Sequence, residues 1–258
     1  MRFPNLFQSL CSLIFFFVLQ IICKSIIKLP QYGTLKDLIS YLIPALITLG
    51  SLALMNRKEV ISIDSITIKK VRLDDLVLSV GIAIFCLFTP LLNQFSHFNK
   101  EIVNQTYESV LEVPVDIFVF FSMVIFAPIF EEIFFRGIIF SGLQKNYSTI
   151  WALIISSLLF GVLHVNIINS FILGLFWAWL YYKTNNITLC VISHSICNFL
   201  GFLLRAYVQD GKDTLGLDGG KDHSIIISII MLIIAGLLFF VLSKRLKKRI
   251  EEETVHTI

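Results

Sequence analysis

Three short stretches carry nearly all the strongly polar side chains that fall inside long apolar runs of this 258-residue chain. APIFEEIFFRG (127–137) holds Glu131, Glu132 and Arg136; LLFGVLHV (158–165) holds His164; VISHSICNF (191–199) holds His194 and Asn198. An ionisable group at the centre of a membrane helix costs about 2.5–3.5 kcal/mol on insertion scales, so such groups face the protein interior, find partners and mark function. Helical spacing sorts them. Glu132 and Arg136 are four residues apart and can pair. Glu131 is rotated by about 100° from Glu132 and points elsewhere. Phe160 and His164 share one face, as do His194 and Asn198.

A glutamate beside a histidine can hold a water between them, the carboxylate taking a proton as the water attacks a carbonyl carbon. A second histidine and an asparagine amide can donate hydrogen bonds to the oxyanion that forms. The set suffices for peptide hydrolysis with neither serine nor cysteine as nucleophile. Two other chemistries stay open. Glu131, His164 and His194 could ligate zinc, since two histidines and a glutamate form a hydrolase ligand set, although the helical H-E-x-x-H spacing is absent. Proton relay or transport also uses intramembrane Glu and His, but the chain shows no paired halves. Each residue has a plain structural role open to it as well: a Glu132–Arg136 brace, a hydrogen-bonded core His164, an Asn198 bridge between helices. The ordered recurrence of EExxxR, FxxxH and HxxxN on successive helices favours a common cavity.

The elements that must position these groups are apolar helices. The chain is 56% hydrophobic and 15% charged, with a mean hydropathy of +0.83, whereas soluble domains carry roughly 25% charged residues. This composition excludes a water-soluble globular protein and predicts an all-α polytopic membrane protein. On a ruler of about 20 apolar residues per span, about eight transmembrane helices are predicted. They lie near 6–23, 38–55, 76–92, 115–143, 150–166, 169–182, 187–207 and 224–242, the sixth short enough to be re-entrant. At 1.5 Å per residue, Glu131, His164 and His194 lie roughly 18, 21 and 11 Å from the cytoplasmic ends of their helices, compatible with one intramembrane layer. Residues 1–114 are expected to form helices 1–3 and their loops, 115–207 the catalytic core, and 208–258 an outer loop, the last helix and a basic tail.

Lys and Arg keep short loops on the cytoplasmic side. With both termini cytoplasmic, thirteen basic loop residues fall inside, including the SKRLKKR cluster (243–249), and seven outside. The first apolar run lacks an A-x-A cleavage site and reads as a retained helix. The cysteines, Cys11, Cys23, Cys86, Cys190 and Cys197, lack C-x-x-C spacing and read as small buried hydrophobes. The Gly- and Asp-rich segment 208–223 does not follow the D-x-D-x-D-G calcium pattern and reads as a solvated outer loop. No nucleic-acid signal is present.

EEIFFR (131–136), FGVLH (160–164) and HSICN (194–198) resemble the three motifs of the CPBP family of intramembrane proteases. This family includes the CAAX prenyl endopeptidases of the Rce1 type and the bacterial Abi proteins. Pro128 before the first motif and Gly137 after it strengthen the resemblance, which covers roughly residues 115–205. It implies a glutamate-dependent endopeptidase in which Glu131 and His164 activate water and His194 and Asn198 form the oxyanion hole. Glu132 and Arg136 would support the site, Phe160 would shape it, and no metal or other cofactor would be required. The implied substrate is a peptide or membrane protein: prenylated CAAX peptides in eukaryotes, and in bacterial relatives peptides tied to maturation, signalling or bacteriocin self-immunity. A non-catalytic membrane protein of bacteriocin immunity or peptide binding is the competing reading. The expected partners are the substrate and the lipid bilayer, with oligomeric state open. Ile-, Phe- and Lys-rich usage leans toward a bacterial cell membrane.

Overall fold

The computed structural model describes residues 4–29, 33–55, 68–87, 114–164, 167–209 and 223–255. Among them are eight helices and no strand: α1 (Leu6–Ile26), α2 (Gly33–Met55), α3 (Leu73–Leu87), α4 (Ile117–Asn146), α5 (Thr149–Gly161), α6 (Ile167–Thr184), α7 (Ile187–Gln209) and α8 (His223–Val255). The all-α membrane bundle expected from composition is the fold. α1, α2 and α4 are each long and apolar enough to cross a membrane. Phe7, Ile21 and Leu46 are among many large apolar side chains that face outward along α1 and α2, an apolar surface far beyond what a soluble monomer exposes. The loops expected at 93–114 and 208–223 fall almost wholly outside the described residues.

Local chemistry sets the helix ends. The Asn5 side chain accepts from the Gln8 N–H, and the Gln8 side chain accepts from the Asn5 N–H, a reciprocal cap on α1. Asp116 starts α4 by accepting from the N–H groups of Phe118 at 2.8 Å and Val119 at 2.9 Å. Desolvation pushes the Asp116 carboxyl up; the bonds from the Thr34 side chain and these N–H groups outweigh it and hold the group below the usual carboxylate range.

Two expectations need correction. The basic cluster at 243–249 reads in sequence as a tail beyond a helix ending near 242, whereas α8 continues through it to Val255. Lys, Arg and Glu are good helix formers. In addition, Arg245 pairs with Asp74 at the start of α3, and Arg249 grips buried Asp75 with bonds of 2.6 and 3.0 Å. Nor are all the cysteines buried. Cys190 and Cys197 are, but Cys11 is exposed on the outward face of α1 and Cys23 is half-buried, as lipid-facing positions tolerate a small hydrophobe without enclosing it; the Cys86 side chain lies outside the described set.

Small residues let the helices around the polar layer approach closely. A Cβ on Gly174 of α6 would sit 3.1 Å from Phe160 Cδ1 and 3.3 Å from the Ser157 Cα of α5. A Cβ on Gly161 would meet the Ile167 carbonyl oxygen at 3.0 Å. Such small-residue contacts are how apolar helices pack where lipid is as oily as the partner.

Candidate active site

α4 is not a uniform α-helix. Phe121–Phe126 and Ile133–Phe140 are π-helical and flank an α-helical Ala127–Glu132. Wider π turns release carbonyls and re-aim side chains, and they recur at functional sites. Other groups take up the released carbonyls. Asn198 of α7 donates through Nδ2 to Met123 O at 2.9 Å, and Ser141 Oγ donates to Arg136 O at 3.0 Å. Pro128, lacking an N–H, sits at the start of the central α-helical stretch.

The adjacent glutamates separate as their rotation requires. Glu132 is fully buried, with Oε2 3.1 Å from Arg136 Nε. Arg136 is also buried, donates through Nη2 to Gly174 O at 3.2 Å, and lies 4.6 Å over the Phe160 ring. Its charge is thus met by a carboxylate, a carbonyl and an aromatic face, which a desolvated guanidinium needs. The second Glu132 oxygen, Oε1, is 2.9 Å from His194 Nδ1. Glu131 has no such partner on α4, and its Oε2 stands 3.9 Å from His164 Nε2 and 3.9 Å from His194 Nε2.

Sequence reading places His164 inside a helix reaching 166, but α5 ends at Gly161. The Leu163 N–H donates to Phe160 O and the His164 N–H to Gly161 O, closing a tight turn. The close approach of α6 to Gly161 explains why the helix stops there. The turn folds the imidazole back so that Nδ1 lies 2.8 Å from Phe160 O, with the His164 and Phe160 ring centroids 4.4 Å apart. A carbonyl only accepts, so Nδ1 carries the proton and Nε2 faces Glu131 as an acceptor. His194 is fixed similarly: Glu132 takes its Nδ1–H, and its ring stacks 4.0 Å from Trp177 at an interplanar angle of 20°. Both imidazoles therefore present Nε2 to the same carboxylate oxygen.

At 3.9 Å these contacts are too long for direct hydrogen bonds, yet a water about 2.8 Å from each atom fits between a carboxylate oxygen and an imidazole nitrogen. The space is open on one side: a cavity of about 170 Å³ is lined by Glu131, His164, Tyr41 of α2, Phe130 and the α1 residues Phe17 and Gln20. Among the described residues, no three His, Cys, Asp or Glu side chains are grouped so as to hold a metal ion.

Of the residues that spacing singled out, Glu131 and His164 line this cavity, His194 reaches Glu131 with Nε2, Glu132, Arg136 and Phe160 pack behind them, and Asn198 is held against Met123 O, with no contact to the other site residues shown. Asn198 is the most constrained, since one amide N–H is spent on Met123 O and one remains. Three contributors escape the sequence reading. Trp177 backs His194, and the only hint is the run of three aromatics in FWAWL (176–180). Gly174 supplies both a carbonyl for Arg136 and room for Phe160. Tyr41 is a polar tip in an apolar α2 stretch, the kind of signal that a search limited to charges and imidazoles passes over.

Residues 113–200 match the family model described as type II CAAX prenyl endopeptidase Rce1-like. A Bacillus subtilis (strain 168) protein named "Putative membrane peptidase YdiL" is 35% identical over 77 residues, which cover 29% of this chain and 32% of that protein. The chain thus spans about a third of that relative's length. No solved structure matches the chain.

Proposed function

From the Rce1-like domain at residues 113–200, which belongs to the CPBP family, we propose that this chain is an intramembrane endopeptidase in which Glu131 is the general base. The observation that carries the reading is the convergence of two imidazole Nε2 atoms, each 3.9 Å away, on one oxygen of the glutamate that has no partner on its own helix.

In this mechanism a water donates one proton toward Glu131 Oε2 and the other toward His164 Nε2, which turns its lone pair to the substrate carbonyl. As the C–O bond forms, Glu131 takes the proton. The oxyanion accepts from His194 Nε2–H and from the free Asn198 amide N–H. His194 donates from both nitrogens in this step, to Glu132 and to the oxyanion; with Glu131 protonated, the ionised Glu132 and the oxyanion are balanced by the Arg136 guanidinium and this imidazolium. Collapse breaks the C–N bond, and the Glu131 proton passes to the leaving amine. Phe160 and Trp177 keep the rings in register. The bilayer and a membrane-associated peptide or protein are the partners, and a prenylated C-terminal peptide is the substrate class nearest the matching family.

The test uses the full chain in liposomes with a quenched-fluorescent farnesylated CAAX peptide and with a panel of membrane-anchored peptides. Cleavage that resists chelators and serine- or cysteine-directed reagents, and that is lost in His164→Ala, is expected. No cleavage across the panel by correctly inserted protein, or cleavage abolished by chelation, contradicts the proposal. Cleavage abolished by chelation would favour zinc on Glu131, His164 and His194.

A further inference from the structure

Tyr41 lies on α2, outside the segment that matches the Rce1-like model. Its hydroxyl is buried, and no acceptor stands at full hydrogen-bond geometry to it. A phenol O–H removed from water and left without an acceptor costs about 1–3 kcal/mol, so a buried one is expected to find an acceptor on the same cavity wall. That cavity is the one holding Glu131 and His164, and the hydroxyl and the Glu131 carboxylate lie close enough to interact electrostatically. The ring is held edge-on to Phe16 and Phe130, with centroids 5.8 Å away in each case, so its tip cannot swing freely. Glu131 Oε2 already serves the two imidazoles, which leaves Oε1 to be fixed.

We propose that Tyr41 is a positioning residue that donates its O–H to the Glu131 carboxylate and fixes which oxygen faces the water. The carboxylate then rotates less between turnovers, and a donor of this kind favours its ionised form, which a base requires. The inference rests on the peptidase reading only for its catalytic consequence; the contact itself can be read without any substrate.

The experiment compares wild type, Tyr41→Phe and Glu131→Gln in liposomes. Phe keeps the ring contacts and removes only the hydroxyl. Dicyclohexylcarbodiimide adds a protonated carboxyl O–H across one C=N bond, and the adduct rearranges to a stable acylurea counted by mass at Glu131. Loss of the donor favours the protonated acid, so Tyr41→Phe is expected to label at least threefold faster, while Glu131→Gln does not label at that position. On the farnesylated peptide, Tyr41→Phe is expected to lower kcat about 10- to 100-fold with KM within twofold. In a Glu131→Gln background it should add no further loss. Unchanged labelling in Tyr41→Phe overturns the contact. Faster labelling with unchanged kcat, or a change confined to KM, overturns the positioning role. Full activity in Glu131→Gln overturns the peptidase reading itself and leaves the labelling result standing.

Discussion

Replacing Arg136 with methionine removes three interactions at once: the 3.1 Å ion pair with Glu132, the 3.2 Å bond to Gly174 O and the stacking 4.6 Å over Phe160. Methionine fills most of the stem volume, so the cavity left is small. The dominant cost is electrostatic, because Glu132 stays fully buried with only His194 beside it. Deleting one partner of a buried pair costs about 3–5 kcal/mol. At roughly 2–4 °C per kcal/mol for a chain of this size, Tm falls by about 6–20 °C. The assay is thermal unfolding in detergent followed by the fluorescence of Trp151, Trp177 and Trp179. The double variant Glu132→Gln/Arg136→Met is the diagnostic. Taking away both charges of a buried pair is often close to neutral, so it should recover Tm to within about 4 °C of wild type without recovering peptide cleavage. An Arg136→Met protein that melts within about 2 °C of wild type, or a double variant no more stable than the single, refutes the charge-balance argument.

Three further outcomes follow from the packing and the caps. Gly174→Ala forces a methyl to 3.1 Å from Phe160 Cδ1; it should cost about 1–3 kcal/mol by overpacking and lower kcat more than KM, measured by melting and cleavage together. Asp116→Ala removes the α4 cap and should cost about 1 kcal/mol at pH 7. Because the folded carboxyl is held below its ordinary range, that stability is present above pH ~3.9 and lost as pH falls through the lowered value, so wild type and variant should converge in melts at progressively lower pH. Arg249→Met strands buried Asp75 and should cost about 2 kcal/mol, and Asp75→Asn in the same chain should restore most of it; melts of the two variants decide.

Glu131, Glu132, Arg136, His164 and His194, which the structure brings together, stood out in sequence with Asn198 because lipid makes each polar side chain costly, which leaves few to consider and makes helical spacing informative. The eight apolar runs were legible for the same reason. Spacing alone cannot show where a helix stops, so His164 reads as helical when it sits in a turn set by the approach of α6 to Gly161. The reach of α8 through the basic cluster depends on Asp74 and Asp75, which are distant in sequence. The π turns of α4 arise from tertiary partners such as Asn198, with no local motif to announce them. Trp177 and Tyr41 stayed hidden because an aromatic in an apolar helix reads as core until its polar atom or its stacking partner is located in space.

The most direct test of the central claim compares the two neighbouring glutamates, one isosteric change at a time, in the same liposomes. Glu131 faces the cavity and the two Nε2 atoms, whereas Glu132 holds Arg136 and His194. The account predicts that Glu131→Gln lowers kcat by at least about a thousandfold with Tm within about 2 °C of wild type, while Glu132→Gln lowers Tm by several degrees. A Glu131→Gln protein that still cleaves at the wild-type rate, or a Glu132→Gln protein that alone loses turnover while keeping its full Tm, contradicts it.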